Sequence, residues 1–382
     1  MKAIGARHSF NGIADSTEDI VSLAQCNRVL ALDRDGRTVT VEAGIRYGEL
    51  SRFLHAEGFA LHNLASLPHI SVAGACATAT HGSGDRNGNL ATAVCAMEIV
   101  TANGERVSLS REHDAATFAG AVVGLGALGI VTNLTLDVVP TFSVRQDVYE
   151  NLPLDSIEDR FEEIESSAYS VSLFTDWRTS SFNQMWQKRL NTDSVQLDTP
   201  PVLFGATLAT KPRHPLAGIS AENCTEQLGV SGPWHERLPH FRIDFMPSAG
   251  EELQSEYLVP RRHACAALRA LYEIREQIAP LLQISEIRTV AADNLWMSPC
   301  YREACVALHF TWIKDWPAVR GLLPHIEEAL MPFDARPHWG KLFTTSPSRL
   351  QSLYPKLPEF RRLLLKYDPQ GKFRNAYLDA IL

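Results

Sequence analysis

The chain has 382 residues, 45% of them hydrophobic and 21% charged, a composition typical of a soluble globular protein long enough for two domains. Its net charge of −8, without any run of Lys and Arg, argues against binding to nucleic acid or to an anionic membrane surface. No apolar run reaches the roughly 18–20 residues of a membrane helix, and seven scattered cysteines without a C-x-x-C motif argue against a disulfide framework or a zinc site and favour the reducing cytoplasm.

Residues 1–140 are predicted to form a domain rich in strands. Two turn signals, Asp35-Gly36 and Asn103-Gly104, each predict a hairpin, because such dipeptides accept a positive φ. An amphipathic helix is predicted over 47–57 and ends at Gly58. The other predicted segments are extended at 2–4, 20–23, 28–32, 38–43, 94–101, 106–109 and 131–139, with a second helix at 114–122.

Residues 141–340 are predicted to form a second domain, and 341–382 to return to the first. The Pro- and Gly-containing stretch 200–226 is interpreted as a long surface excursion. The fold class is therefore α+β with two domains. The segments on which this rests are strands at 170–177, 182–188, 241–245, 284–291 and 304–312, helices at 263–279 and 319–329, and closing segments at 350–354, 358–367 and 372–378.

Residues 63–84 combine small side chains and hydroxyls without a single Asp, Glu, Lys or Arg. A hydrophobic core would hold more large apolar residues, and a flexible linker would not hold Leu67, Ile70 and Val72. Gly and Ala allow the main chain to approach a ligand, which hydroxyls and free N–H groups can bind. The alternative is a tightly packed turn and helix start.

A second loop, near the N-terminus, favours the ligand-binding interpretation. Successive backbone N–H groups around Gly5, Ala6, Arg7 and Ser9 can form an anion-binding nest for a diphosphate, and His8 lies in its middle. The alternative is that His8 merely caps its neighbours.

Other nucleotide and hydrolase motifs are absent from the sequence. The string Gly124-Leu125-Gly126-Ala127-Leu128-Gly129 matches G-x-G-x-x-G, but it follows a predicted helix and opens a strand, the reverse of a dinucleotide-binding fingerprint. There is neither a Walker A loop nor a G-x-S-x-G nucleophile elbow.

Two pairs of polar residues lie on predicted strands of the second domain. Glu286 and Arg288 are two apart and so share one face of their strand, and His309 and Thr311 do the same on another. If the strands are neighbours, the four side chains form one wall. The alternative is an exposed sheet face with an ordinary salt bridge.

The segment Arg336-Pro337-His338-Trp339-Gly340-Lys341 places a His and a Lys around a Gly. A lone Lys is usually a solvated charge. Because Lys341 is flanked by Trp339 and by Leu342-Phe343, it is predicted to be partly buried.

Together these motifs resemble those of the vanillyl-alcohol-oxidase-type flavoproteins, and within that superfamily the alditol (xylitol/sorbitol) oxidases. The matching segments are 5–11, 63–84, 126–132 and 336–341, and the resemblance covers about 1–140 and 284–378. It implies a two-domain PCMH-type FAD-binding fold whose second, substrate-binding domain has an antiparallel sheet flanked by helices.

The resemblance also implies FAD as the cofactor. His8 matches the histidine that carries the flavin through a covalent 8α bond. The positions that match the family's FAD contacts are Gly5, Ala6, Arg7, His8, Ser9, Ser66, Ser71, Gly74, Thr78, Ala79, Thr80, His81, Val131 and His338.

A polyol substrate follows from the same resemblance. The matching polyol contacts are Ser66, Glu286, Arg288, Thr311 and Lys341, with His309 close by. The implied reaction oxidises a primary alcohol to an aldehyde while oxygen is reduced to hydrogen peroxide. The catalytic residues are taken as Lys341, His309, Glu286 and Arg288. The position that gates oxygen access in this superfamily is occupied by Ala65, which is compatible with an oxidase but also occurs in dehydrogenases.

Two alternatives stay open, an aldonolactone oxidase or dehydrogenase and a flavin-free, non-catalytic remnant. Family members carry some tens of residues before the His8 loop, and this sequence starts at the last strand of that unit. An N-terminal truncation is therefore expected.

Overall fold

The computed structural model describes residues 1–191, 199–245 and 252–382. The N-terminal part begins with two short parallel strands, β1 (Lys2–Ile4) and β2 (Ile20–Ser22), and His8 lies between them in the chain. The elements that follow are β3 (Val29–Asp33), β4 (Thr38–Glu42), α1 (Tyr47–Ala56), β5 (Phe59–Ala60), α2 (Val72–Ala77), β6 (Val94–Val100), β7 (Arg106–Ser110), α3 (Ala115–Ala121), β8 (Ile130–Asp137) and β9 (Val139–Pro140).

A five-stranded antiparallel sheet orders these strands β3-β4-β8-β6-β7. Its apolar side packs on α1, where Val39 and Val41 join Leu50 and Leu54 in one buried cluster. The predicted half-buried strand at β4 is therefore confirmed, with its valines buried and its threonines half-buried.

Both predicted hairpins are present, as the antiparallel pairs β3-β4 and β6-β7. In the second hairpin Gly104 has a φ of +86°, as its turn signal requires. In the first hairpin the left-handed residue is Arg37, with a φ of +51°, rather than Gly36. Asp33 explains the difference, because its Oδ1 accepts hydrogen bonds from the N–H groups of Asp35 and Gly36 and so fixes the turn before Arg37.

A larger sheet follows in the chain, with 10 strands among the described residues. The elements of this second part are β10 (Ser143–Pro153), α4 (Leu154–Glu165), β11 (Ser170–Thr175), β12 (Ser181–Leu190), β13 (Val202–Leu203), β14 (Ala206–Leu208), β15 (Gly232–Pro233), β16 (Glu252–Pro260), α5 (Ala264–Glu273), α6 (Arg275–Ile278), β17 (Leu282–Val290), β18 (Cys305–Ile313), α7 (Trp316–Leu330), β19 (Arg336–Pro337), α8 (Pro347–Leu353), α9 (Leu357–Tyr367) and α10 (Ala376–Ile381).

The strand order of this sheet is β13-β14-β10-β12-β11-β17-β18-β16-β19, and β15 pairs with β10. Helices cover one face, where Leu268 of α5 and Leu323 of α7 pack in the same buried cluster as Leu308 and Phe310 of β18. Because side chains alternate along a strand, His309 of β18 points to the other face. That face carries the polar residues of the candidate site.

The closing helices pack against the N-terminal part. Phe360 of α9 and Leu378 of α10 belong to the same buried cluster as Val39 of β4. This packing is what a C-terminal segment returning to the first domain requires, while the exact domain boundaries at 140 and 340 stay a prediction. Within the described ranges, no helix is both long and apolar enough to cross a membrane.

Three predictions for the middle of the chain are wrong in part. The stretch 200–226 is more than a surface excursion, because β13 and β14 extend the large sheet and Cys224 is only 1% exposed. The helix predicted over 263–279 is divided at Ile274 into α5 and α6. Residues 241–245 form no strand, because the pairing is limited to an isolated antiparallel bridge between Phe241 and Cys224, and the N–H of Phe241 donates to the carbonyl of Ser66.

Several elements were not predicted, and the longest of them are β10, α4 and β16. The face of β16 that points away from the helices is polar, yet it is buried, with Glu256 only 2% exposed. Polar residues at buried positions remove the contrast between an inward and an outward face on which a strand prediction depends.

Candidate active site

The site is built on three neighbouring strands of the large sheet. Glu286 of β17, His309 of β18 and Glu256 of β16 are direct cross-strand partners and so form one row. Two residues further on, Thr311 lies opposite Gln254 in the same way. Since side chains alternate, these residues share the polar face of the sheet, as does Arg288. The predicted wall of Glu, Arg, His and Thr is therefore present, and it is buried rather than solvated.

Glu256 is the centre of the charge network. Its Oε1 lies 2.7 Å from Nη2 of Arg288 and 3.3 Å from Nε2 of His81, the latter without hydrogen-bond alignment, and its Oε2 lies 3.7 Å from Nδ1 of His309. Burial by itself raises the pKa of this carboxyl. The pull of His81, Arg288 and His309 outweighs burial and holds the pKa of Glu256 well below its usual range.

Glu286 is ionised for a similar reason. Its Oε1 accepts a hydrogen bond of 2.6 Å from Nε2 of His240 and lies 3.6 Å from Nε of Arg288. Burial raises the pKa of Glu286, but Arg288 and His240 more than compensate and keep it far below the ordinary value. Arg288, shared by the two carboxylates, also donates from Nη1 to Oγ of Ser66 at 3.3 Å. The site thus holds two carboxylates that accept and one guanidinium that donates.

Lys341 enters the site from the loop that follows β19. Its ammonium donates to Oε1 of Gln254 and lies 4.8 Å from the ring centroid of Phe10. Burial lowers the pKa of Lys341 to about 8, against the opposing attraction of Glu256. The prediction that this lysine is partly buried is confirmed, and its pKa lies near neutral pH.

Two histidines of the site, His309 and His338, have lowered pKa values because they are buried. Burial lowers the pKa of His338 to about 3 and also lowers that of His309. Nδ1 of His338 accepts a hydrogen bond of 3.1 Å from the N–H of Gly340. Neutral imidazoles keep a lone pair on one nitrogen, so each can accept a proton or a hydrogen bond.

The loop that carries His8 lines a cavity together with Lys341 and the polar strand residues. The residue before it, Arg7, has a left-handed φ of +56°. The N–H of Phe10 donates to the carbonyl of Gly340 at 2.8 Å, and Nδ2 of Asn11 donates to the carbonyls on both sides of that glycine, at 2.7 and 2.8 Å. These bonds tie the His8 loop to the loop of Lys341. Burial, followed by the charge of Lys341, lowers the pKa of His8 to about 3, so its imidazole is neutral.

One cavity of about 640 Å³ joins the two halves of the site. It is lined by nearly all of the predicted site residues, namely Gly5, Ala6, Arg7, His8, Ser9, Ser66, Ser71, Gly74, Thr78, Thr80, His81, Glu286, Arg288, His309, Thr311, His338 and Lys341. Two predicted residues do not line it. Ala79 is buried with a φ of +54°, and Val131 lies on β8 opposite Ile99. Their contact with the cofactor stays a prediction.

The N-terminal side of the cavity fits a cofactor that approaches the main chain closely. A Cβ added at Gly5 would lie 2.1 Å from Oγ of Ser71, and one added at Gly74 would lie 2.8 Å from the same atom. A side chain at residue 5 would therefore meet Ser71 of the other loop, so glycine allows the two loops to lie close together without a shift of that serine. Most residues on this side are small or carry hydroxyls, with Lys2, Arg7 and Asp15 as charged exceptions, whereas the buried carboxylates Glu256 and Glu286 lie on the other side. The described side chains include no group of three or more His, Cys, Asp or Glu placed to hold a metal ion.

Several residues of the site were missed from the sequence. They are Glu256 and Gln254 of β16, His240, and Lys188 of β12, which lies behind His240. A signal existed for the first two, because Gln254 and Glu256 are two apart like Glu286 and Arg288. No local pattern identifies His240 or Lys188, since they meet only through the fold.

Comparison with known proteins agrees with this geometry. Residues 1–110 match the FAD binding domain family, and residues 246–381 match the D-arabinono-1,4-lactone oxidase family. The chain is 52% identical over 379 residues to the alditol oxidase of a Streptomyces species, covering 99% of this chain and 89% of the relative. The chain belongs to the alditol oxidase family. Its N-terminal part is an FAD-binding domain, as the resemblance implied.

The more distant relatives of this chain include lactone oxidases and a lactone dehydrogenase. The L-gulonolactone oxidase of Bos taurus is 26% identical, covering 100% of this chain and 89% of that protein. Among solved structures, cholesterol oxidase from B. sterolicum has a TM-score of 0.78 at 15% identity, covering 100% of this chain and 89% of the other. That likeness shows the fold alone, and it confirms the predicted two-domain PCMH-type FAD-binding architecture.

Proposed function

We propose that this protein oxidises the terminal primary alcohol of a polyol of the xylitol or sorbitol type to an aldose, with oxygen reduced to hydrogen peroxide. The observation that carries the proposal is the set of polar side chains on one cavity wall. A polyol presents a row of hydroxyls, each both a donor and an acceptor, and the wall offers both partners. Glu286 accepts, Arg288 and Lys341 donate, and Ser66 and Thr311 can do either.

Substrate binding in this proposal depends on the fixed charges of the wall. Glu286 and Arg288 remain ionised throughout the neutral pH range, because each holds the other in its charged form. A hydrogen bond between a hydroxyl and a charged partner is worth about 1.5–3 kcal/mol. Polar groups buried for this purpose also discriminate against substrates that lack the matching hydroxyl.

The proton of the reacting hydroxyl requires a base, and His309 is the candidate that its surroundings favour. Oε2 of Glu256 lies 3.7 Å from Nδ1 and favours the tautomer with the proton there. Nε2 then keeps its lone pair, 3.3 Å from Oγ1 of Thr311 and facing the cavity. Lys341 is the second candidate and requires its neutral form. Bound FAD would supply the acceptor for the hydride that leaves the carbon.

We further propose that His8 carries the flavin covalently. The side chain lines the cavity, and its low pKa keeps the imidazole unprotonated. A neutral imidazole nitrogen is the nucleophile that a bond to the flavin 8α carbon requires. The FAD contacts proposed for the same cavity are the loops 5–9 and 71–81 together with His338.

Oxygen as the electron acceptor is supported by the small side chain of Ala65. This residue lines the cavity beside Ser66 and leaves space that a larger side chain would fill. All seven cysteines are free, which supports a location in the reducing cytoplasm.

A lactone substrate is the second candidate, because residues 246–381 match the D-arabinono-1,4-lactone oxidase family. Oxygen uptake and peroxide formation with xylitol, sorbitol, gulonolactone and galactonolactone separate the two. We expect efficient turnover of the polyols, and turnover of the lactones alone would contradict the proposal. Repeating the polyol assay with a dye acceptor under nitrogen distinguishes an oxidase from a dehydrogenase. A purified protein that stays colourless after addition of FAD would instead indicate a flavin-free remnant.

A further inference from the structure

A buried lysine, Lys188 of β12, lies behind the cavity wall that carries Glu286. Lys188 is 1% exposed. Its ammonium donates to the carbonyls of Leu238 and Pro239, the latter at 3.1 Å. The third neighbour of the ammonium is Nδ1 of His240, at 3.0 Å. Burial lowers the pKa of Lys188 to about 7. Below that pH its ammonium has three protons and no lone pair, so all three neighbours are then acceptors.

This arrangement decides the tautomer of His240. Since Nδ1 accepts from Lys188, the proton of the neutral ring lies on Nε2. Nε2 lies 2.6 Å from Oε1 of Glu286, so it donates to that oxygen. Burial lowers the pKa of His240 to about 4, which keeps the ring neutral at assay pH.

The ring of His240 is also fixed in orientation. Phe174 and Trp186 pack edge-on against it, with centroids 5.6 and 5.2 Å away. The side chain is 5% exposed, so water does not compete for its two nitrogens. Hydrogen bonds and packing together leave one conformation for the donor that faces Glu286.

We propose that Lys188 and His240 form a hydrogen-bonded relay that positions Glu286 for substrate. His240 and Arg288 both approach Oε1 of Glu286, which directs the other oxygen, Oε2, to a hydroxyl of the polyol. Both members of the relay are positioning residues. The part that concerns polyol binding rests on the proposed function, whereas the tautomer of His240 does not.

The tautomer is tested below pH 7, where Lys188 is an ammonium, by nitrogen NMR of protein labelled with ¹⁵N-histidine, with His240→Gln identifying the signals of residue 240. We expect a neutral ring protonated on Nε2 alone. In Lys188→Met the Nδ1 resonance should shift toward that of a free, unbonded nitrogen. A ring protonated on Nδ1, or an Nδ1 resonance unchanged in Lys188→Met, overturns the relay whatever the substrate is.

The kinetic test compares His240→Phe with His240→Gln. The phenyl ring removes the donor, and we expect KM for xylitol to rise about 10–100-fold, with a smaller change in kcat and an unchanged flavin spectrum. Glutamine places an amide N–H near the position of Nε2 and should restore most of the affinity. The exposed His325 gives the control His325→Gln. Lys188→Met carries the test if His240→Phe does not fold.

An unchanged KM in folded His240→Phe or Lys188→Met, or equal losses in the Phe and Gln variants, overturns the positioning role. A wild-type enzyme that turns over no polyol contradicts the proposed function instead, and the NMR result still decides the relay.

Discussion

Nη2 of Arg288 lies 2.7 Å from Oε1 of Glu256, and the two residues are 6% and 2% exposed. Such a buried pair adds little net stability, because desolvation of both charges offsets their attraction. Its partners nevertheless depend on each other, since loss of Glu256 leaves Arg288 with Glu286 as its remaining carboxylate, and loss of Arg288 leaves two carboxylates buried without the guanidinium they share. The pair therefore fixes the position of Arg288, which also contacts Ser66 and Glu286.

We expect Glu256→Gln to lower the free energy of unfolding by at most about 3–5 kcal/mol, because Arg288 loses one of its two carboxylate partners in a buried site and keeps Glu286. Urea unfolding followed by circular dichroism measures the change. The matched control is Glu226→Gln, which removes the partner of Arg242 from a half-exposed ion pair and should cost less than about 1 kcal/mol. Equal effects of the two substitutions would show that burial of the pair is energetically unimportant.

Glu165, at the end of α4, is a further buried carboxyl outside the cavity. The hydroxyl of Thr289 donates a hydrogen bond to one of its oxygens. Burial raises the pKa of Glu165 from 4.5 to about 8. Between these values the folded state holds a proton that the unfolded state has released, so stability falls as pH rises, by at most about 1.4 kcal/mol per pH unit.

We expect Glu165→Gln to remove this dependence. The variant should gain stability relative to the wild type as pH rises from 5 to 8, as measured by urea unfolding at several pH values. Glu163→Gln, on the exposed side of the same helix, is the control and should follow the wild-type profile. A constant difference between Glu165→Gln and the wild type across this range would contradict the raised pKa.

The pH profile of turnover should report Lys341. Its pKa is lowered to about 8 by burial, so the ammonium that donates to the substrate is lost as pH rises through this value. We expect kcat/KM for xylitol to fall above pH 8 in the wild type. Lys341→Met should be less active, by about tenfold or more, and its profile should lack this fall. Lys356→Met, outside the cavity, should keep the wild-type profile, and a fall that persists in Lys341→Met would assign it to another group.

The covalent link predicts where the flavin goes when the protein is denatured. In the wild type the yellow colour should stay with acid-precipitated protein, because a covalent bond survives denaturation. His8→Ala should release all of it into the supernatant, as judged by absorbance near 450 nm, a property of flavins rather than of this protein. His113→Ala, at an exposed histidine, serves as the control. Flavin that remains attached in His8→Ala would place the link elsewhere.

The local sequence pattern was sufficient to predict the structure where side-chain alternation or turn chemistry gave a clear signal. The spacing of Glu286 and Arg288, and that of His309 and Thr311, placed each pair on one strand face, and the structure joins the two faces through the pairing of β17 with β18. The glycines at 5 and 74 predicted that the main chain approaches a ligand, and this stays a prediction; in the structure both lie near Oγ of Ser71. For the residues of the two strands, the few neighbouring positions in the sequence were sufficient to predict the local structure.

The sequence by itself therefore determined the strand faces, the glycine-lined loops and, through resemblance, the family. Only the tertiary structure decided which groups pair along the polar wall of the cavity. Glu256 neutralises Arg288, and Lys188 sets the tautomer of His240, across separations of 32 and 52 residues. Such pairs leave no local pattern, because a buried charge is stable wherever the fold brings its counter-charge, irrespective of distance along the chain.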